Sequence, residues 1–204
     1  MKKLVLVSVT ILLFRIPGSA APCAPGTLAS YIAMGSAGCV LGNLTVSGFA
    51  YQAKASGGAA EITADQIAVT PLLPPTGTFG LQFAAPWSVE SGQSQGSNIT
   101  YRVLSPGGTA VQVQQARLDG AGFQAGMFGS VVVNEALATP ATVLDLQVYL
   151  KCTEVCHSQT SDEVAFAAPA GTLIVADQVT LQSKLGAASM ANFADWFVDC
   201  PACA

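Results

Sequence analysis

The chain has 204 residues, of which 51% are hydrophobic and 10% are charged, and its formal net charge is −4. Three of its eight basic residues lie within the first fifteen positions, so the remainder carries twelve acidic and five basic residues, a net charge of −7. No basic stretch remains that could neutralise phosphates, which excludes nucleic acid as an expected partner.

The N-terminus predicts a secretory signal peptide over residues 1–20. Two lysines precede an apolar run, and a stretch of small residues ending at Ala20 offers a cleavage site. Arg15 ends the apolar run before it is long enough to span a bilayer, so we expect no transmembrane anchor after cleavage. The remaining segment, 21–204, shows no linker and is long enough for a single domain with a substantial core. We expect it to be secreted or held at the surface of a bacterial cell.

Period-two alternation of apolar residues, bounded by Gly and Pro turns, recurs along the mature chain. Near the middle, for example, Leu146 and Val148 share one face of a strand while Asp145 and Tyr149 share the other. The alternation predicts strands over residues 44–55, 62–70, 78–83, 98–103, 111–118, 130–137, 142–150, 162–168 and 173–183.

Short strands at this spacing predict an all-β fold, an antiparallel β-sandwich or jelly roll with at most one or two short helices. The two helix candidates, residues 26–35 and 186–197, are brief and weakly amphipathic. The alternation slips phase at Gln114 and Gln115, which predicts a β-bulge in the strand over 111–118.

Six cysteines in an exported chain predict disulfides. Proximity favours three local pairs, although six cysteines allow 15 connectivities. A bridge between Cys23 and Cys39 would pin the N-terminal segment and contribute about 3 kcal/mol. A bridge within CTEVCH, residues 152–157, would close a hairpin. The predicted disulfide residues are Cys23, Cys39, Cys152, Cys156, Cys200 and Cys203.

Two other uses of the cysteines are less consistent with export. The last four cysteines, with His157 able to replace one of them, could form a zinc site. CPAC at 200–203 is similar to a redox dithiol, but that chemistry works at a helix N-terminus within a βαβ frame. We therefore expect no metal ligand, no cofactor-binding residue and no cofactor.

The segment GQSQG matches the G-x-S-x-G nucleophile elbow at Ser94, and Asp145 and His157 follow in the order of an α/β-hydrolase. An elbow requires a helix after the serine, whereas SNITYRVLS has the pattern of another strand. We interpret the stretch as a polar hairpin loop in which Gly92 and Gly96 adopt positive φ. No catalytic residue is therefore predicted, and a secreted serine hydrolase using Ser94 and His157 is kept as an alternative.

Aromatic residues supply a second alternative, a carbohydrate-binding module. Trp87, Tyr149 and Trp196 could face a ligand and stack against sugar rings. Most aromatic residues in a β-sandwich belong to the core, so solvent exposure of these rings decides between the two roles.

Several stretches resemble exported bacterial proteins of the PEP-CTERM-sorted, acidobacterial-like type. They are CAPGTLASYIAMGSAGCVLGNLTVSGFAY, GLQFAAPWSVESGQSQGSNITYRV and EVAFAAPAGTLIVADQVTL followed by GAASMANFADWF, and the similarity covers most of residues 23–198. The sorting tail of that family, a Pro-Glu-Pro motif with an apolar helix and a basic cluster, has no counterpart in FVDCPACA. The resemblance implies either a freely secreted relative or one whose anchor has been lost. It also implies association with exopolysaccharide and biofilm matrix.

The leading prediction is an exported, non-catalytic β-sandwich protein that serves as a structural or binding component of the cell surface or extracellular matrix. The expected partners are extracellular polysaccharide or surface proteins.

Overall fold

The computed structural model describes residues 20–74, 77–105 and 113–199, which form two antiparallel sheets packed face to face. The predicted all-β sandwich is confirmed. Nearly all of the predicted signal peptide lies outside the described residues, as do Cys200 and Cys203. Within the described ranges, no helix is long and apolar enough to cross a membrane.

Each sheet contains seven described strands, and neighbouring strands pair in antiparallel fashion. Sheet A runs from edge to edge as β11 (Cys156–Gln159), β10 (Val143–Cys152), β9 (Gly129–Ala138), β13 (Thr172–Ser183), β6 (Ser94–Leu104), β3 (Leu44–Ser56) and β2 (Cys39–Leu41). Sheet B runs as β1 (Gly26–Thr27), β4 (Ala68–Leu72), β5 (Thr78–Val89), β14 (Ala188–Asp199), β7 (Val113–Ala121) and β12 (Ser161–Ala170), with β8 (Gln124–Ala125) paired to β14.

The helix predicted over residues 26–35 is confirmed as α1 (Leu28–Ala33). Thr27 caps its N-terminus, since the Thr27 hydroxyl oxygen accepts from the backbone N–H of Ser30 at 3.3 Å. Tyr31 is buried against the core, and its hydroxyl donates to a backbone carbonyl oxygen 2.8 Å away. This burial raises the pKa of Tyr31 to about 12.

The helix predicted over residues 186–197 is wrong, because this segment forms β14 in the interior of sheet B, between β5 and β7. A register shift between Met190 and Asn192 breaks the alternation of the strand. Met190 faces the core, and a strict period of two counted from it would place Phe193 and Phe197 on the outer face. Both are buried instead. This irregularity interrupts the period-two alternation by which a strand is recognised in the sequence. Pairing with β5 and β7 stabilises the strand despite the weak helical pattern.

The bulge predicted at Gln114 and Gln115 is confirmed. Val113 pairs with Asp199 while Gln115 pairs with Val198, so Gln114 is the additional residue of β7. The extra residue lets Val113 and Ala116 both reach the buried face.

The strand predicted over residues 62–70 is shorter in the structure, since β4 begins at Ala68. The residues before it form a 3₁₀ turn, Ala64–Gln66. The backbone N–H of Thr63 donates to the side-chain oxygen of Gln66 at 2.8 Å, which is half of a capping box. The Thr-x-x-Gln spacing is a helix-start signal, and here it prevails over the strand pattern.

The stretch predicted as a hairpin loop instead joins the two sheets. β5 ends in sheet B and β6 begins at Ser94 in sheet A, so residues 90–93 cross between the layers. Gly92 has a φ of 78°, as predicted. The positive φ predicted for Gly96 is wrong, because Gly96 lies inside β6 in extended conformation.

Alternation buries one face of each long strand, and these faces meet in an aromatic core. Tyr101 on β6 stacks on Phe49 of β3 with ring centroids 5.0 Å apart. Phe83 of β5 stacks on Phe193 of β14 at 5.1 Å, and Trp87 packs beside Phe193 at 5.8 Å. Burying one such side chain contributes about 1.5–3 kcal/mol, so these rings supply much of the attraction between the sheets.

Two of the predicted disulfides are confirmed. Cys23 is bonded to Cys39, which ties the N-terminal segment to the edge strand β2. Cys152 is bonded to Cys156, and the two residues face each other across the hairpin of β10 and β11. This bond removes Cys152 and Cys156 from the alternative zinc site.

Removal of each disulfide should destabilise the protein, and the loss should be larger for the bond that closes the longer loop. Replacing Cys23 and Cys39 by Ser should lower the free energy of unfolding by about 3 kcal/mol, because the bond closes the longer loop. Replacing Cys152 and Cys156 by Ser should cost about 2 kcal/mol by the same relation. Urea unfolding followed by tryptophan fluorescence measures both values. A larger loss from the hairpin pair than from the N-terminal pair would contradict this assignment.

Candidate functional site

The aromatic residues predicted to face a ligand lie in three different environments. Trp87 is 1% exposed, and its indole N–H donates to the hydroxyl oxygen of Ser97 at 3.1 Å. The prediction that Trp87 faces a ligand is therefore wrong, since its ring is buried in the core and its indole N–H already has a hydrogen-bond acceptor there.

Trp196 lies on the outer face of sheet B, where neighbouring side chains cover it. The guanidinium carbon of Arg117 is 5.3 Å from the ring centroid. The ring also lies over Gly80, since a Cβ at that glycine would come within 2.9 Å of a ring atom. Stacking a sugar on Trp196 would require Arg117 to move away.

Tyr149 lies half-buried on the outer face of sheet A. The ammonium group of Lys151 is 4.7 Å from its ring centroid. Of the three predicted aromatic residues, Tyr149 is the one placed beside a polar surface that can accept a ligand.

The structure does not assemble the hydrolase alternative. Ser94 lies on β6 and His157 on β11, with β13, β9 and β10 between them. At about 4.8 Å per strand, the two residues are roughly 19 Å apart. The hydroxyl of Ser94 instead pairs with that of Ser56 at 2.7 Å, and Asp145 is an exposed residue opposite Ala136.

Five side-chain amides form a row across the outer face of sheet A, which we call the amide row. Register places each of them directly beside the next on five neighbouring strands, β3, β6, β13, β9 and β10. At about 4.8 Å between strands, the row is roughly 19 Å long. Its members are, in order, Gln52, Asn98, Gln178, Asn134 and Gln147.

Most of the amide row is free to bind a ligand. Gln147 donates to the side-chain oxygen of Asn134 at 2.5 Å. The side chains of Gln52, Asn98 and Gln178 have no hydrogen-bond partner among the described residues. Each free amide offers two N–H donors and an oxygen acceptor, so the row can both donate to and accept from a hydroxyl-rich molecule.

Small residues flank the amide row and leave it prominent. On one side the neighbouring row contains Ala50, Ala176 and Ala136. On the other side Gly96 carries no side chain, and a hollow of about 200 Å³ opens between Lys54, Gln178 and neighbouring residues of β3, β6 and β13. A linear ligand could therefore lie along the central amides, while Lys54 and Tyr149 stand beside the two ends of the row.

Charge is distributed unevenly over the molecule. The outer face of sheet A carries Lys54, Arg102 and Lys151, three of the five basic residues within 21–204. Asp145 is the acidic residue found on the described outer face of that sheet. Residues 21–204 carry a net charge of −7 and yet present a locally basic face.

The outer face of sheet B differs because its polar groups pair with one another. Gln82 donates to Asn192 at 3.2 Å, and Gln115 donates to Glu163 at 3.1 Å. Arg117 forms an ion pair with Asp119 at 2.9 Å. These internal pairs leave little free hydrogen-bonding capacity on sheet B, so sheet A is the better candidate surface.

A groove of about 740 Å³ opens at one end of the sandwich, between residues 139–142 and 165–172. Its described lining is formed by small and apolar residues with a few hydroxyl groups, and Phe166 is the aromatic residue among them. The groove carries no charged side chain among these residues and offers no directed set of polar groups.

Three carboxyl groups meet inside the core, and sequence reasoning missed them. Glu135 on β9 lies directly opposite Asp177 on β13, and Asp195 projects from β14 of the facing sheet. One oxygen of each lies within 4.8 Å of the others, and each residue is at most 1% exposed. The hydroxyl of Tyr101 donates to Asp195 at 2.5 Å.

Burial holds these carboxyl groups toward their neutral form. It raises the pKa of Asp195 to about 7, although the hydrogen bond from Tyr101 acts in the opposite direction. Burial, followed by the negative charge of Asp195, raises the pKa of Glu135 and Asp177 well above their usual range. The pKa of Tyr101 is also raised well above its usual value, chiefly by burial.

A signal for this cluster is present in the sequence. Glu135 falls on the apolar phase of β9 between Val133 and Leu137, and Asp177 falls between Val175 and Val179 of β13. An acidic residue on the apolar phase of a strand predicts a buried carboxyl group. The partners of such a group cannot be predicted in the same way, because they come from distant strands.

Comparison with known proteins finds weak structural similarity to a few solved structures. No protein-family model and no curated protein matches the chain. The solved structure of TmCBM61 in complex with β-1,4-galactotriose is 10% identical, with a TM-score of 0.33, and the match covers 71% of this chain and 86% of that one. A family 11 carbohydrate-binding module from Clostridium thermocellum, in complex with a mixed-linked tetrasaccharide, is 10% identical with a TM-score of 0.27 and coverages of 72% and 88%. The enzymatically active domain of tailspike protein 4 from bacteriophage CBA120 is 8% identical, with a TM-score of 0.30, and the match covers 77% of this chain and 20% of that one.

The buried carboxyl groups predict a stability that falls as pH rises. In buffer freed of metal ions, the folded protein keeps protons that the unfolded chain releases, because the folded-state pKa values are raised. The contribution of Asp195 is fully present below about pH 4 and is lost as pH rises through about 7. Glu135 and Asp177 extend the loss to higher pH, and the charged groups acting on them are Asp195 and, for Glu135, Asp162.

Urea unfolding at a series of pH values measures this effect. The free energy of unfolding should fall with a slope of up to about 1.4 kcal/mol per pH unit for each proton involved. Asp195→Asn should flatten the slope, whereas Asp145→Asn, at an exposed position, should leave it unchanged. A free energy of unfolding that stays constant or rises between pH 4 and 8 would contradict the assignment.

Proposed function

We propose that this chain is an exported, non-catalytic binding protein of the cell surface or extracellular matrix, and that its ligand is a polysaccharide bound along the amide row. The observation that carries the proposal is the alignment of five side-chain amides on adjacent strands, three of which have no hydrogen-bond partner within the described part of the chain. Sugar hydroxyls both donate and accept hydrogen bonds, as side-chain amides do.

The ends of the amide row suggest which polysaccharide suits this surface. Lys54 lies next to Gln52 on β3, and Lys151 lies next to Gln147 on β10, on the same side of the row. A polymer lying along the row would therefore meet a positive charge near each end. We infer a polysaccharide that carries carboxylate groups at intervals. Tyr149 could pack against a sugar ring once Lys151 leaves its ring to bind a carboxylate.

Export and matrix location form part of the same proposal. Two disulfides are typical of proteins that fold in an oxidising compartment. The resemblance to PEP-CTERM-sorted proteins supports a place in an exopolysaccharide-rich matrix. An exported protein that binds such a polymer without altering it would serve to attach or cross-link matrix components.

Co-sedimentation of the mature protein with the host's own extracellular polysaccharide tests this function. We expect saturable retention that is competed by soluble alginate, an acidic polysaccharide, more effectively than by dextran, which is neutral. The double variant Asn134→Ala with Gln178→Ala should weaken retention about tenfold or more, because each lost hydrogen bond costs about 0.5–1.5 kcal/mol.

The matched control is Gln82→Ala with Gln115→Ala, which removes the same chemical groups from the outer face of sheet B. This control should bind as the wild-type protein does. Equal loss in both double variants, with unchanged unfolding temperatures, would reject the amide row as the binding site. Absence of saturable retention by the wild-type protein would reject polysaccharide binding and leave a structural or protein-partnered role.

A further inference from the structure

The three buried carboxyl groups are surrounded by apolar side chains. On their own sheets the strand neighbours of Glu135 and Asp177 are Leu146 and Ile99, and those of Asp195 are Leu81 and Leu118. Tyr101 supplies a hydrogen bond to one oxygen of Asp195. Both oxygens of Glu135, both of Asp177 and the second oxygen of Asp195 accept no hydrogen bond from an N–H or hydroxyl donor among the described residues. Asp177 and Asp195 lie close enough to share a hydrogen bond when Asp177 is protonated.

No basic side chain is available to neutralise the cluster. The five basic residues that follow the signal peptide are all described, and each lies on an exposed or half-exposed surface. They are Lys54, Arg102, Arg117, Lys151 and Lys184. His157 is exposed on the edge strand β11. An isolated buried carboxylate is too costly to persist unpaired, so these groups either keep their protons or bind a cation.

We propose that Glu135, Asp177 and Asp195 form a binding site for a divalent cation, of which calcium is the best match, between the two sheets. The donor set consists of carboxylate oxygens and lies beside a tyrosine hydroxyl, with no sulfur or nitrogen ligand. Such a set selects hard cations such as Ca²⁺ and Mg²⁺ over zinc or copper.

The spacing of the oxygens fits one central ion. Oxygens bound to Ca²⁺ at 2.3–2.6 Å lie at most about 5 Å from one another, and the three carboxyl groups here each offer an oxygen within 4.8 Å of the others. Three carboxylates can provide up to six oxygens if each binds through both. An ion at this point would bind at least one oxygen of each of the three carboxyl groups. Mg²⁺ is less suitable, because it retains several waters and this site is enclosed.

The position of the site gives the ion a structural role. Glu135 and Asp177 belong to adjacent interior strands of sheet A, and Asp195 belongs to an interior strand of sheet B. A bound cation would join the two layers through their middle strands. The same strands β9 and β13 carry Asn134 and Gln178 of the amide row on their opposite face, so the ion would also hold the binding surface in place.

Metal analysis combined with refolding tests the proposal. The mature protein, purified without chelators and dialysed, should contain about one calcium ion per chain by inductively coupled plasma mass spectrometry. Protein unfolded in urea with its disulfides intact and refolded with calcium chloride should unfold at a higher temperature than protein refolded with EDTA. Refolding is needed because an enclosed ion exchanges slowly in the native state.

The variants Glu135→Gln and Asp177→Asn distinguish a cation site from a merely structural cluster. Each should abolish the response to calcium and, in EDTA near neutral pH, raise the unfolding temperature above that of the wild-type protein, because a neutral amide needs no bound proton to be buried without charge. The exposed Asp145→Asn variant should keep the full calcium response. Wild-type protein that contains no divalent metal and unfolds at the same temperature with calcium and with EDTA would overturn the proposal. So would variants that retain the calcium response.

Discussion

The antiparallel register of β9 and β13 is the constraint on which the rest of the structure depends. It pairs Glu135 with Asp177 on the buried face and, one position along, Asn134 with Gln178 on the outer face. Because successive residues of a strand point to opposite faces, one alignment fixes both the carboxyl cluster and the centre of the amide row. A slip of one residue would expose the carboxyl groups and bury the amides, so neither arrangement can change without the other.

This register places two acidic side chains in an apolar interior, and Asp195 of the facing sheet adds a third. Such burial is costly unless the charge is compensated. Protons and a divalent cation are the two ways to neutralise them. The stability of the sandwich therefore depends on pH if protons neutralise the carboxyl groups, and on the concentration of the cation if an ion does. In both cases the effect acts on interior strands. The aromatic stack around Phe193 and Tyr101 lies beside the cluster and provides the apolar attraction that offsets its cost. The three central members of the amide row, Asn98, Gln178 and Asn134, lie where their strands are paired on both sides, which restricts the movement of their backbone.

Much of the fold could be predicted from the sequence because alternation is a local property. The strand around residues 142–150 and the disulfides Cys23–Cys39 and Cys152–Cys156 follow from near neighbours in the chain. β14 could not be predicted, because its bulge interrupts the alternation and its stability comes from two distant partner strands. The amide row could not be predicted for a related reason: Gln52 and Gln147 are ordinary polar residues until register aligns them. The aromatic residues were a poor guide, since Trp87 is a core residue.

Binding of a polysaccharide along the amide row can be tested by ¹H–¹⁵N NMR of the side-chain amides during titration with an oligosaccharide prepared from the host's polysaccharide. We expect the signals of Gln52, Asn98, Asn134, Gln147 and Gln178 to shift together and saturate, while those of Gln82 and Gln115 on sheet B stay in place. Shifts confined to sheet B, or none in the five amides once the ligand is bound, would contradict this expectation.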